Sequence, residues 1–123
     1  MELGSFSVSL TVEDLEASRA FYAKLGFVEV HGEESQGWLI LRNDQCTIGL
    51  FQGMFDKNIL TFNPGWNQEG ETLGEFADIR ELQKHLKAEG LTLIKEPDES
   101  GSGPDSLTLV DPDDNPILID QHV

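Results

Sequence analysis

Ser7–Phe27, SVSLTVEDLEASRAFYAKLGF, decides the fold of this 123-residue chain. From Ser5 to Val12, apolar side chains alternate with hydroxyl side chains, which indicates a strand with one buried face. Asp14 then suits a helix N-cap, and Gly26 supplies the left-handed residue that ends a helix. Between them, side chains for one helix face recur at helical spacing: Leu15, Ser18, Phe21, Tyr22 and Leu25. The stretch therefore predicts a strand followed by an amphipathic helix.

The segments that follow repeat this order. Three short strands are predicted after the helix, at Phe27–Val30, Trp38–Leu41 and Cys46–Phe51. A second helix is predicted with Asp78 as its N-cap and Gly90 as its stop, at the same spacing as in the first helix. Three strands are predicted after it as well: Leu91–Ile94, Leu107–Val110 and Ile117–Ile119. A helix followed by three strands thus occurs twice, which is typical of an internal repeat.

The strand before the second helix has two candidate positions. Asn58–Asn63 has the higher β propensity, whereas strict repeat spacing favours Glu71–Ala77, which carries Gly74 at its centre. We prefer Asn58–Asn63. This choice leaves residues 65–77 as a long excursion, a kind of segment that often forms a functional lid or a flexible loop.

The composition limits the possible partners. Eight Lys and Arg against 23 Asp and Glu give a net charge of −15, which repels nucleic acid and anionic membranes but attracts cations. The N-terminus resembles no secretory leader, and no apolar run approaches the length of a membrane span, so we expect a cytoplasmic protein. The single cysteine, Cys46, excludes an internal disulfide and is expected to be a small buried side chain.

Two segments resemble one known family. Ser7–Phe27 resembles the opening module of vicinal oxygen chelate proteins, the glyoxalase, bleomycin resistance and extradiol dioxygenase group, in which Val-x-Asp-Leu leads into a Ser-x-x-Phe-Tyr helix ending at Leu-Gly-Phe. Val110–Ile119 resembles the family's last hairpin, normally Asp-Pro-Asp-Gly-Asn, with Asp114 in place of Gly. The resemblance implies an α+β fold in a single domain, residues 1–123. In that fold two βαβββ modules, residues 1–53 and 58–123, form a cupped mixed sheet.

Metal-using members of that family hold a divalent ion with His, Gln or Glu ligands at four positions on the concave face. By the resemblance, these positions fall on Ser7, on Gly49, on Leu118 and, depending on the register, on Asn58, Ile59 or Glu71. The first three bind a metal poorly, and a lone carboxylate at the fourth would not hold a catalytic ion against water. We therefore expect no metal ligands and no cofactor.

Strand parity also predicts which side chains line the concave face, where we expect a small ligand to bind. They are Ser7, Ser9, Thr11, Thr47, Gly49, Phe51, Thr61, Asn63, Leu118 and Asp120. Trp38 and Trp66 would add stacking surfaces, with Trp66 at the base of the 65–77 excursion, and packing in a core or interface is the alternative for both.

The chain has three histidines, His31, His85 and His122, and no two are close in sequence. Each is therefore expected to be a surface histidine, or one whose hydrogen bonds are satisfied, rather than a catalytic one. If Asp120 and His122 both point toward the cup, however, they would form an acid and base pair, because alternate residues of a strand share a face.

These features predict a metal-independent small-molecule binding protein that resembles bleomycin resistance proteins, with the ligand in a concave pocket of a homodimer. The acidic charge suits a cationic or aromatic ligand. One alternative is a glyoxalase- or dioxygenase-class enzyme, a lyase or oxidoreductase, that uses a non-standard divalent metal site or the Asp120–His122 pair. A third hypothesis is an interaction module that acts through its dimer surface.

Overall fold

The computed structural model describes residues 1–123 of the protein. The chain divides into two compact units. The first unit is Ser7–Ile59, and the second unit combines Met1–Phe6 with Leu60–Val123. Seven strands and two helices make up the chain: β1 Ser5–Val12, α1 Leu15–Ala23, β2 Val28–Glu33, β3 Trp38–Asn43, β4 Cys46–Gln52, β5 Ile59–Asn63, α2 Ile79–Ala88, β6 Asp105–Val110 and β7 Pro116–Gln121. The predicted α+β class is confirmed.

The first unit is a mixed sheet covered on one face by α1. Its strands are ordered β2-β3-β4-β1, with β1 parallel to β4 and the other neighbours antiparallel. Four buried leucines form the core between sheet and helix: Leu15, Leu39, Leu41 and Leu50. Their burial fixes the register of β3 and β4, because a slip by one residue would turn these side chains to the other face.

Helix α1 has its predicted ends but only part of its predicted apolar face. The Asp14 side chain accepts a hydrogen bond from the first turn, and Gly26 has a φ of +92°. Phe21 and Leu25, which were expected on the apolar face, are 59% and 56% exposed. Phe21 lies six residues after the buried Leu15, which places it about 120° away around the helix. Leu25 follows the last helical turn.

The second unit is a mixed sheet of three strands covered by α2. The strands are ordered β5-β7-β6, with β5 parallel to β7 and β6 antiparallel to β7. The preferred strand Asn58–Asn63 is confirmed by β5, whereas Glu71–Ala77 contributes only one isolated bridge, from Thr72 to Trp66. The core of this unit consists of Ile79, Leu82, Leu86, Leu107, Leu109 and Ile119.

The strand predicted at Leu91–Ile94 is wrong. The only pairing in this region is an isolated bridge from Lys95 to β6. The chain that follows is held by Arg80 of α2, whose guanidinium donates to the carbonyl oxygens of Asp98 at 3.1 Å and Gly103 at 2.8 Å. These bonds join the loop to α2, and the pairing with β6 is limited to the single bridge at Lys95.

Each helix also receives a cap from a glutamine at the end of a strand. In the first unit, the Gln52 Oε1 accepts a hydrogen bond from the Leu15 N–H at 2.7 Å. In the second unit, the Gln121 Oε1 accepts one from the Ile79 N–H, also at 2.7 Å. Both bonds satisfy an N–H group that has no partner within its helix. The same kind of cap therefore occurs once within each unit, and the sequence did not reveal either one.

The structure also corrects the predicted burial of Cys46 and the predicted bounds of β2. Cys46 is exposed rather than buried, because it is the first residue of β4 beside the turn at Asp44. β2 begins one residue later than predicted and continues to Glu33, so the following turn is a short 3-10 helix, Glu34–Gln36. Neither α1 nor α2 has the length or the apolar run needed to cross a membrane.

Candidate functional site

In the first unit, one face of the sheet points away from α1. Leu10, Val12 and Ile48 pack against the core on the α1 side. Since neighbouring residues of a strand point to opposite sides, the predicted pocket residues of β1 and β4 lie on the other face. They are Ser7, Ser9, Thr11, Thr47, Gly49 and Phe51. We call this surface of the first unit the aromatic face, after the rings described next.

A row of rings crosses the aromatic face. Trp38 and Phe51 are paired across β3 and β4, and their rings are nearly parallel, with centroids 6.5 Å apart and planes 10° apart. Beyond them, His31 meets Trp38 edge-on at 5.2 Å, and Phe55 lies 5.3 Å from Phe51. The Trp38 Nε1 donates to the Gln36 side chain at 3.3 Å. The row offers stacking surface to a flat ligand.

Two members of this row were missed by the sequence analysis. Phe55 lies in the irregular segment after β4, where no strand parity assigns it to a face. His31 belongs to β2, but the pairing of β2 with β3 shifts register between Glu29 and His31, so simple alternation fails there. Only the pairing partner of His31, Ile40, identifies its face.

The hydroxyl groups beside the row are partly engaged by the protein itself. The Thr11 Oγ1 donates to the Phe55 carbonyl oxygen at 2.8 Å, and the Asn58 side chain accepts from the Thr11 N–H at 3.0 Å. Ser9 is 6% exposed. Ser7, near the start of β1, is half-buried and lies two residues before Ser9 on the same strand. Thr11, at one end of the polar part of the face, is therefore bonded to the segment after β4.

Gly49 is the position where the Phe51 ring crosses the sheet. A Cβ atom added to Gly49 would lie 2.5 Å from the Cε2 of Phe51 and 3.3 Å from the Cδ1 of Ile40. No side chain fits there while the ring keeps its place, because real Cβ atoms do not approach other heavy atoms that closely. An aromatic ring thus occupies the space into which residue 49 would project a metal ligand.

In the second unit, the remaining predicted pocket residues lie on the sheet face opposite α2. Thr61 and Leu118 are direct neighbours in the pairing of β5 with β7. The Asn63 amide donates to the carbonyl oxygen of Asp120 at 2.8 Å. Thr61 is 7% exposed, so it offers little surface to a ligand.

Residues 65–73, within the excursion expected to be a lid or a flexible loop, form a folded hairpin. Its strands meet at the bridge between Trp66 and Thr72, and the Leu73 N–H donates to the Gly65 carbonyl oxygen at 2.8 Å. The Gln68 amide accepts from the Phe6 N–H at 2.9 Å and donates to the Phe6 carbonyl oxygen at 2.7 Å. These paired bonds fasten the hairpin to Phe6, which belongs to the same unit.

Asp120 and His122 do form the pair that strand alternation made conceivable. The His122 Nε2 lies 3.1 Å from the Asp120 Oδ2, with the two side chains 47% and 32% exposed. The imidazole also stacks on the Trp66 indole, with centroids 4.6 Å apart and planes 2° apart. The hydrogen bond to the Asp120 carboxylate raises the pKa of His122 above its usual range, against the opposing effect of burial.

The stability of the fold should depend on pH through this pair. A pKa that is higher in the folded than in the unfolded protein stabilises the fold most below the unfolded value, and this contribution is lost as pH rises through the folded value. Asp120→Asn should therefore lower the free energy of unfolding more at about pH 5.5 than at about pH 8.5. Urea unfolding at both pH values measures this difference. An equal loss at both would show that the pair does not titrate as described.

The positions at which the family resemblance implies metal ligands do not fit a metal. The Phe51 ring fills the space beside Gly49, and the Asn58 Oδ1 is engaged by the Thr11 N–H. The Glu71 carboxylate accepts a hydrogen bond from the Asn67 amide at 2.9 Å. No three side chains of His, Cys, Asp or Glu are grouped so that they could hold an ion.

Comparison with known proteins identifies relatives of the chain. The family model described as Glyoxalase/Bleomycin resistance protein/Dioxygenase superfamily matches residues 4–119. No curated protein sequence matches the chain. The match extends from before β1 into β7 and therefore includes every strand and both helices.

Several solved structures share the fold. NAD-dependent benzaldehyde dehydrogenase from Legionella pneumophila has a TM-score of 0.70 at 15% identity, covering 96% of this chain and 99% of that chain. A glyoxalase/bleomycin resistance protein/dioxygenase superfamily member from Vibrio splendidus has a TM-score of 0.65 at 15% identity, covering 94% and 97%. Methylmalonyl-CoA epimerase from Mycobacterium tuberculosis has a TM-score of 0.64 at 17% identity, covering 95% and 86%. These likenesses confirm the predicted fold, and they carry no activity over to this chain.

Proposed function

The chain belongs to the glyoxalase/bleomycin resistance protein/dioxygenase superfamily, and from this premise we propose that it is a cytoplasmic, homodimeric small-molecule binding protein that works without a metal. Its ligand is a flat aromatic molecule that lies against the aromatic face of the first unit. The observation that carries this proposal is the Phe51 ring over Gly49, which puts a stacking surface where metal-using relatives would place a ligand atom.

The chemistry of the aromatic face supports an aromatic ligand. Trp38 and Phe51 are half-buried, so each ring keeps some surface to share with a ligand while its position is fixed by packing. Rigid aromatic side chains lose little conformational entropy on binding and contribute large contact areas. Ser7, at the polar end of the face, adds a hydroxyl group that could donate to or accept from a ligand.

The charge of the chain favours a cationic form of that ligand. A net charge of −15 attracts cations over distances comparable to the Debye length. On the aromatic face itself, Arg42 is the cationic side chain that opposes this preference. Arg42 is paired with Thr47 across β3 and β4. It lies four residues from Trp38 along β3, a distance of about 13 Å. A single positive charge on the ligand is thus best placed at the Trp38 end.

Exposed apolar side chains in the first unit support the dimer. Phe21, Leu25, Val28 and Val30 are 59%, 56%, 62% and 42% exposed. Covering such side chains against a second copy would remove them from water, and β2 is the edge strand of its sheet in this unit. Sedimentation equilibrium at micromolar concentration should give the mass of a dimer, and a monomer would contradict this part of the proposal.

Binding of a planar aromatic cation in the presence of a chelator tests the ligand part of the proposal. We expect proflavine to bind the protein in EDTA-containing buffer, and we expect Ser7→Phe to abolish this binding by placing a bulky ring on the aromatic face. Ala20→Phe adds the same ring to the exposed side of α1 and should leave the affinity unchanged. Equilibrium dialysis measures both. Equal affinities for the Ser7→Phe variant and the unmodified protein would refute the assignment of the face.

A further inference from the structure

The second unit contains a group of side chains that the proposed ligand face does not use. Asp120 and His122 project from the end of β7 on the same face, and Trp66 belongs to the 65–73 hairpin. The Nε2 of His122 lies 3.1 Å from the Asp120 carboxylate, and its ring lies parallel to the indole of Trp66 at 4.6 Å. The imidazole is therefore held by one contact at its edge and another on its face.

These contacts determine which nitrogen of His122 is free. A carboxylate only accepts hydrogen bonds, so Nε2 carries the hydrogen that it donates to Asp120. In the neutral ring the lone pair is then on Nδ1. The chain offers Nδ1 no hydrogen bond, and 47% of the side chain is exposed. This basic nitrogen thus belongs to a half-exposed imidazole whose orientation is set by Asp120 and Trp66.

The support behind these three side chains is rigid. The backbone N–H of Trp66 donates to the Asn63 carbonyl oxygen at 3.2 Å, and the side-chain amide of Asn63 donates to the carbonyl oxygen of Asp120 at 2.8 Å. The hairpin that carries Trp66 is tied to Phe6 through Gln68. Its charged residues are Glu69 and Glu71, and the Glu71 carboxylate is bonded to the Asn67 amide. Asp120 is the charged group bonded to the imidazole.

We propose that Asp120, His122 and Trp66 form a general-base site that hydrolyses small, uncharged, activated carboxylic esters with an aromatic leaving group. The Nδ1 of His122 takes a proton from water as the water oxygen bonds to the acyl carbon. The bond from that carbon to the leaving oxygen then breaks, the phenolate departs, and the imidazolium returns its proton to solvent. His122 is the catalytic residue, and Asp120 is a positioning residue.

The chemistry of the surroundings selects this substrate class. One oriented base can activate water, which is the only co-reactant that the reaction needs. The indole of Trp66 offers apolar surface beside the imidazole for an aromatic leaving group. The net charge of −15 disfavours anionic esters.

Release of 4-nitrophenolate from 4-nitrophenyl acetate by the full chain tests the proposal. We expect His122→Gln to lower the protein-dependent rate at about pH 7.5 by at least about tenfold. His85→Gln removes another exposed imidazole, on α2, and should leave the rate unchanged. An unchanged rate in His122→Gln, or equal losses in both variants, would overturn the proposal, because unoriented imidazoles would then account for the reaction.

The pH profile separates positioning by Asp120 from a merely structural role. Loss of the carboxylate charge lowers the pKa of His122, so Asp120→Asn should move the midpoint of the rate profile to lower pH and reduce the rate on its plateau. This variant keeps the imidazole and gives an independent result if His122→Gln does not fold. A midpoint identical to that of the unmodified protein would contradict the role given to Asp120.

Discussion

Trp38→Ala is expected to weaken the binding of proflavine by at least about tenfold. The substitution removes the ring that lies nearly parallel to Phe51 and breaks the row between His31 and Phe55. Stacking on an indole contributes about 0.5–1.5 kcal/mol beyond the area buried, and a cationic ligand adds an attraction to the ring face. A loss of about 1.4 kcal/mol corresponds to a factor of ten in affinity.

The two tryptophans of the chain supply a matched control, since each lies in a different unit. Trp66→Phe leaves Trp38 as the only indole, and its fluorescence should still be quenched by proflavine. Trp38→Phe leaves Trp66, whose fluorescence should change little. Quenching confined to Trp66 would place the ligand in the second unit and contradict the assignment to the aromatic face.

Gln121→Leu should cause the largest loss of stability, about 3 kcal/mol in the free energy of unfolding. Gln121 is 1% exposed, and its Oε1 accepts from the Ile79 N–H at the start of α2. Its Nε2 donates to the Gly103 carbonyl oxygen at 3.1 Å and to the Asp78 carboxylate at 3.2 Å. Leucine has a similar volume but leaves these groups without a partner in a buried place.

Gln52→Leu is the corresponding change in the first unit and should cost much less. Gln52 makes the same kind of cap, to the Leu15 N–H, but its side chain is exposed, so water can replace the lost bond. Denaturant unfolding of the two variants under the same conditions compares them directly. Equal losses would show that burial does not set the strength of the glutamine cap.

The parts of the fold that local chemistry determines could be predicted from the sequence. Asp14 and Asp78 cap their helices through their own side chains, and Gly26 and Gly90 adopt positive φ angles just after the helices end. These features depend on residues within one or two turns of each other. The β propensity of Ile59–Asn63 likewise outweighed strict repeat spacing and gave the correct strand.

Features set by distant contacts could not be predicted. The glutamine caps join a strand end to a helix start, and no local pattern marks Gln52 or Gln121. The segment Leu91–Ile94 forms no strand, and the loop that follows it is bonded to Arg80, which lies at a distance in the sequence. Phe21 is exposed because only one side of α1 packs against the core, and Phe21 lies on another side. Its hydrophobicity alone would have favoured burial.

In the candidate site, too, some features could be predicted from the local sequence and others could not. Strand parity placed Ser9, Thr47 and Phe51 on one face, since the first unit's core lies on the other side of β1 and β4. Parity could not show that the ring of Phe51 crosses over Gly49, because this depends on side-chain packing between strands. The Phe51 ring lies where a metal-ligating side chain at position 49 would project, and it provides an aromatic surface there. The proposed function depends on this surface.

The most direct test of this account is the metal content and thermal stability of the purified protein in the presence of divalent ions. After dialysis against zinc, manganese or iron(II), we expect less than a stoichiometric amount of bound ion and no rise in melting temperature, because an ion that binds only the folded state would raise it. One tightly bound ion per chain, with a raised melting temperature, would contradict metal-independent binding.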